Sequence, residues 1–114
     1  MEDEIKVGEF VRTKTGYIGK INKISTYKIN NKDKTVYLTK FFNKTFPISY
    51  TDIKNHSFNI IDLIQVGDYV NGEKVLSVDW GGVGIANFKF IEPEDIKSII
   101  TKEQIKQIEF RIKE

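Results

Sequence analysis

The chain has 114 residues, 18 basic and 16 acidic side chains, a net charge of +2 and no cysteine. That length is one domain's worth, with about two thirds of the unfolded surface available for burial. The lack of cysteine excludes a disulfide framework, a thiolate nucleophile and Cys-ligated zinc.

No apolar run approaches the ~20 residues of a membrane span. The start Met-Glu-Asp-Glu-Ile-Lys has neither the basic n-region nor the apolar h-region of a secretory signal. The expectation is a cytoplasmic protein with no membrane partner. Near-neutral charge argues mildly against a duplex nucleic-acid binder, which usually carries a basic excess on one face. Arginine occurs only at Arg12 and Arg111. The lysine bias, with abundant Ile and Asn, is the codon signature of an AT-rich genome.

In chain order, Ile5, Val7, Glu9 and Val11 alternate and predict a strand over 5–11. The pentad Val7-Gly8-Glu9-Phe10-Val11 returns as Val66-Gly67-Asp68-Tyr69-Val70. Such a pentad turns tightly and then delivers a half-buried strand. The repeat therefore predicts one domain over 1–114 holding two β-subunits, about 1–64 and 65–114. Gly16–Ile24 continues the strand pattern, with Ile18 and either Ile21 or Ile24 inward and a bulge reconciling the phase. Thr26–Ile29 and Thr35–Thr39 read as hairpin arms around a polar turn at 30–34. Phe41–Pro47 reads as a turn carrying three phenylalanines, Ile48–Tyr50 as extended, and 51–56 as a loop or single helical turn. Ser57–Ile64 is apolar enough to be buried.

Asn71-Gly72 is a strong two-residue hairpin signal joining 68–70 to 74–78. Asp79–Gly84 reads as a glycine-rich loop around Trp80, and Ile85–Ile91 as one strand by alternation. Pro93 and the acids after it open a short turn. Thr101-Lys102-Glu103-Gln104 has the spacing of a capping box and starts a helix to about Ile108. Phe110–Ile112 reads as a final strand. The fold expected is mainly β (α+β): an antiparallel sheet or small barrel, a second β-unit and one short C-terminal helix.

No catalytic set emerges. His56 is the only histidine and has no neighbours at metal or triad spacing, which favours a structural role. Gly81-Gly82-Val83-Gly84 lacks the Gly-Lys-Ser/Thr ending of a P-loop and leads into a strand, so a hairpin turn fits better than a phosphate cradle. Glu92, Glu94 and Asp95 fit a solvated helical turn better than a metal site. The chain is expected to be a non-enzyme without a cofactor. Its binding candidates are Trp80, Asn87 and Phe88, an aromatic face beside an amide that suits a purine base. Arg12 and Arg111 are the only groups able to grip a phosphate bidentately. Core packing is the competing reading for Phe88 or Phe90. Phe41, Phe42 and Phe46 are more apolar surface than one small turn buries, which predicts a homo-oligomer.

Three stretches carry a resemblance: 7–16 (Val-Gly-Glu-Phe-Val-Arg-Thr-Lys-Thr-Gly), 59–72 (Asn-Ile-Ile-Asp-Leu-Ile-Gln-Val-Gly-Asp-Tyr-Val-Asn-Gly) and 96–104 (Ile-Lys-Ser-Ile-Ile-Thr-Lys-Glu-Gln). They resemble a recurring type of small protein in phages of low-GC Gram-positive bacteria. One such group that the chain is similar to is the Thoeris anti-defence sponge family. That family sequesters the cyclic ADP-ribose signals of bacterial immune TIR enzymes without cleaving them. The resemblance implies an oligomeric, mainly β binder of a small cyclic nucleotide, acting in the cytoplasm of an infected host cell. The family's pocket does not map onto this chain residue by residue. A phage inhibitor acting by protein contact, anti-CRISPR-like, is the alternative. A small nucleic-acid-binding barrel is a third, since Gly16–Ile21 is similar to the loop motif of RNA-associated barrels.

Overall fold

The computed structural model describes residues 4–108 and is mainly β, with antiparallel sheets and one short helix. The chain divides after Leu63 into two compact units.

The first unit is built on a five-stranded sheet: β1 (Phe10–Thr13), β2 (Ile18–Ile29), β3 (Lys32–Phe41), β4 (Lys44–Ile48) and β5 (Ile53–Ser57). Their order is β4-β3-β2-β1-β5, so the sheet is open and the barrel alternative does not apply. The 5–11 strand is shorter than alternation predicts. Gly8 has a positive φ and Glu9 N donates to Lys6 O, so a turn occupies 6–9 and the strand starts at Phe10.

The bulge expected in β2 lies between Ile21 and Lys23 and leaves Ile21 buried. The β2–β3 hairpin is longer than its predicted arms. It closes on two residues, Asn30 and Asn31, both with positive φ, the conformation that matches the strand twist. The three-phenylalanine turn narrows to Phe42 and Asn43, because Phe41 already pairs with Lys44. Pro47 then lies within β4, an edge strand, where its missing N–H costs no ladder bond. A 3-10 turn over Tyr50–Asp52, capped by Ser49, leads into β5, and a second over Ile60–Leu63 ends the unit. The core joins Ile5, Val11, Ile21, Phe41 and Ile53, flanked by Ile24, Tyr37 and Ile48.

The second unit holds two three-stranded sheets. One orders β11 (Ile99–Ile100), β6 (Tyr69–Val70) and β7 (Glu73–Lys74); the other orders β10 (Lys89–Ile91), β9 (Gly82–Ile85) and β8 (Ser77–Asp79). The Asn71-Gly72 turn joins β6 to β7 with both residues at positive φ. The strand expected over 85–91 is broken: Asn87 and Phe88 are left-handed and turn the chain from β9 into β10. The helix α1 (Lys102–Ile108) starts with the expected capping box. Gln104 N donates to Thr101 Oγ1 at 3.2 Å, and Thr101 N to Gln104 Oε1 at 2.9 Å. The strand expected over 110–112 lies outside the described residues.

The two pentads build the same device. In each, the acid's carboxylate accepts the backbone N–H three residues before it, from Lys6 in one and Gln65 in the other. Each glycine N–H then bonds across to the next strand segment, Gly8 to Ile21 O and Gly67 to Val75 O. The second carboxylate oxygen reaches a distant element of its own unit. Glu9 Oε1 is 2.8 Å from His56 Nδ1, and Asp68 Oδ1 accepts Lys102 N at 2.9 Å. His56 therefore has a structural bond to β1's turn.

Candidate ligand-binding site

Of the residues singled out from the sequence, Arg12 belongs to the first unit and Trp80, Asn87 and Phe88 to the second. Arg12 is fully buried, and its Nη1 donates to Leu63 O at 2.8 Å. It cross-links β1 to the end of the unit, where a phosphate grip would need it at a surface. Trp80 is 89% exposed in the two-residue turn between β8 and β9. Asn87 and Phe88 sit in the turn between β9 and β10, with Phe88 at 107% exposure. Successive turns of an antiparallel meander lie at opposite ends, separated here by the length of β9, about 10 Å for four residues. Trp80 and Phe88 therefore stand at opposite ends of this sheet. Phe90 lays its ring over Gly82 while staying half exposed. Arg111 lies outside the described residues.

The aromatic residues that do converge are in the first unit. A cavity of about 480 Å³ is lined by Thr13, Lys14, Thr15, Tyr17, Phe41, Phe42, Phe46, Ile48 and Asp52. Two turns and a hairpin make it. The β1–β2 turn is closed by Thr13 N to Tyr17 O at 2.8 Å and by Thr13 Oγ1, which accepts Tyr17 N at 2.9 Å. Lys14 N donates to Asp52 O at 3.0 Å and ties that turn to the 3-10 turn. The β3–β4 hairpin supplies the phenylalanines.

Gly19 makes room for them. A Cβ there would stand 2.6 Å from Lys40 O and 2.7 Å from Phe41 Cδ1, so only glycine lets the Phe41 ring lie against β2. Tyr17 meets Phe41 edge-on at 6.3 Å and Phe42 at 6.4 Å, while Phe41 and Phe46 tilt together at 6.2 Å. Phe42 holds an unusual positive φ of 58° while 80% exposed.

Lys14 and Asp52 supply the charges of the cavity. The Asp52 carboxyl is held below its ordinary value by the Ser49 N–H and then the Ser49 hydroxyl, with the Lys14 charge adding to them. It is therefore ionised at neutral pH and able to accept from a hydroxyl or amino group. The sequence signal for this site was the run Phe41-Phe42-x-x-x-Phe46 itself, read as an exposed interface. Its partner Tyr17, twenty-four residues earlier, has no local signal that links it to the run.

A smaller cavity of about 230 Å³ is lined by Tyr50, Ile53, Lys54, Asn55 and His56. Among the described residues no group of three His, Asp or Glu side chains is placed to hold a metal ion. In the acidic turn after β10, Glu92 is pushed up and Glu94 down by the hydrogen bond between them. No helix among the described residues is long and apolar enough to cross a membrane. Comparison with protein-family models, curated proteins and solved structures finds no match.

Proposed function

We propose that this chain is a non-catalytic binder of a small nucleotide, held in the aromatic cavity of the first unit. The observation that carries this reading is the convergence of Tyr17, Phe41, Phe42 and Phe46 around about 480 Å³. That volume lies within the ~300–1,000 Å³ of small-ligand pockets. Aromatic walls favour a flat ring, at ~1–3 kcal/mol per stacked base. Thr13, Thr15 and Asp52 offer partners for ribose hydroxyls or an exocyclic amine. Lys14 takes the phosphate role expected of Arg12 or Arg111, as a point charge without bidentate geometry. In the finer reading, drawn from the resemblance in residues 7–16, 59–72 and 96–104, the ligand is a cyclic ADP-ribose-type signal. A phage protein would then sequester it without cleavage, in the host cytoplasm.

Calorimetric titration with cyclic ADP-ribose, ADP-ribose and AMP tests the proposal. Binding of the cyclic nucleotide is expected, with affinity lowered about 5–150-fold by Phe46→Ala, the equivalent of one lost stack. Absence of heat with all three ligands sinks the reading, as does unchanged affinity in Phe46→Ala. A second reading, blockade of a host protein by contact, is favoured by the exposed Trp80, Phe88 and Leu76 of the second unit. It predicts that no nucleotide absorbing near 260 nm is released when the protein is purified from signal-producing cells and denatured.

A further inference from the structure

The β2–β3 hairpin extends past its neighbours. Its pairing with β1 stops at Lys20 and its pairing with β4 at Tyr37. Residues 25–36 find ladder partners only in each other, and residues 26–34 are all exposed. The result is a two-stranded ribbon tethered at one end.

Residues paired across two strands share a face, and the faces alternate along each strand. Following the register through the bulge, one face carries Lys20 beside Lys40, Lys23 beside Leu38, Ser25 beside Val36, Tyr27 beside Lys34 and Ile29 beside Lys32. All five of those lysines are exposed. The only carboxylate between residues 20 and 40, Asp33, pairs with Lys28 on the opposite face. The chain's overall balance of +2 conceals this segregation. Lys20 and Lys40 stand directly opposite each other, a like-charge pair that is destabilising in itself, with Lys20 Nζ 5.5 Å over the Phe10 ring of β1.

We propose that this lysine face binds the phosphate backbone of duplex DNA without regard to sequence. The five rows cover about 27 Å, at ~3.3 Å per residue. That equals roughly eight base-pair steps of B-form DNA. The major groove of B-DNA, ~12 Å wide, admits a two-stranded ribbon, whereas that of an A-form duplex is too narrow and deep. The rows from Ser25–Val36 to Ile29–Lys32 form the free ribbon that enters the groove, carrying Tyr27, Lys32 and Lys34, while Lys20, Lys23 and Lys40 stand where β1 or β4 flanks the hairpin and meet phosphates at the groove's edge. This surface is separate from the aromatic cavity. Phe46 pairs with Thr39 and Ile48 with Tyr37, on the ribbon's other face. The inference therefore goes beyond the nucleotide reading, and either can fail alone.

Fluorescence anisotropy with a labelled 30-base-pair DNA of arbitrary sequence, from 50 to 200 mM KCl, tests it on the full chain. Five lysine–phosphate contacts give a log–log salt slope of about −4.5 at ~0.9 per contact, a several-hundredfold weakening over that range. The triple variant K23Q/K32Q/K34Q is expected to bring the slope to about −1.8, and K28Q on the opposite face to leave it unchanged. All four positions are exposed, and circular dichroism checks that the fold persists. No binding at 50 mM KCl, or an unaltered slope in the triple variant, overturns the proposal. Equal affinity for an RNA duplex of the same length overturns the groove seating. Binding to phosphatidylserine vesicles but not to DNA reassigns the face to a membrane surface.

Discussion

At Gly82, a methyl group added to the chain would meet the carbonyl oxygen of Ile91 and the ring of Phe90, on a backbone with φ of 153°. Its neighbour Gly81 has open space in the same direction. The two glycines look alike in sequence, and the glycine-rich pattern of 79–84 does not tell them apart. Gly82→Ala is expected to lower the unfolding free energy by about 1–3 kcal/mol through strain and overpacking, while Gly81→Ala stays within about 0.5 kcal/mol. Urea denaturation of both variants decides it, and equal effects would refute the packing role. The same blindness affects Arg12. Arginines are mostly exposed, and nothing near it in sequence announces the Leu63 carbonyl fifty-one positions on. Side-chain fate at these positions is set by long-range partners, and local pattern carries no record of them.

Turns and caps were the most legible elements, because their chemistry is local. The Asn71-Gly72 turn, the bulge after Ile21 and the Thr101 capping box follow from residue type within a few positions. Strand ends were less legible, since alternation continues through a tight turn: 85–91 alternates without a break, yet Asn87 and Phe88 reverse the chain. Asn71 shows both sides. Its positive φ was readable, but its clamp was not. Its Oδ1 accepts Lys97 N at 2.7 Å and Ser98 N at 3.1 Å, and its Nδ2 donates to Asp95 O at 2.9 Å. Asn71→Gly keeps the turn's backbone and removes all three bonds. A loss of about 1–3 kcal/mol in thermal or urea unfolding is expected, at ~0.5–1.5 kcal/mol per bond and with partial replacement by water. No change would mean that water satisfies the 95–98 segment equally well.

For the chain as a whole, the β class was legible from composition and periodicity, while the cavity was not, because it needs Tyr17 and Phe46 from different hairpins. A sequestering protein needs roughly nanomolar affinity, about −12 kcal/mol, and a single stacked base with one lysine falls well short of that. We propose that a second copy of the chain completes the enclosure, consistent with the exposure of Phe42 and Phe46 at the cavity. Multi-angle light scattering at micromolar concentration is expected to give at least twice the 13.2 kDa of the chain. A mass of one chain would remove the shared enclosure and leave all contacts to a single copy.

The paired carboxylate turns also have a kinetic meaning. Each fastens the opening of its unit to an element far along it, across 47 residues for Glu9 to His56 and 34 for Asp68 to Lys102. Closure entropy grows only with the logarithm of loop length, so the two fastenings differ in cost by about 0.3 kcal/mol. Neither unit has a marked head start over the other on that account. In both, the hairpins, whose contacts are local, are expected to form before the carboxylate finds its second partner. The contacts that join the ends of each unit are then expected among the last to form.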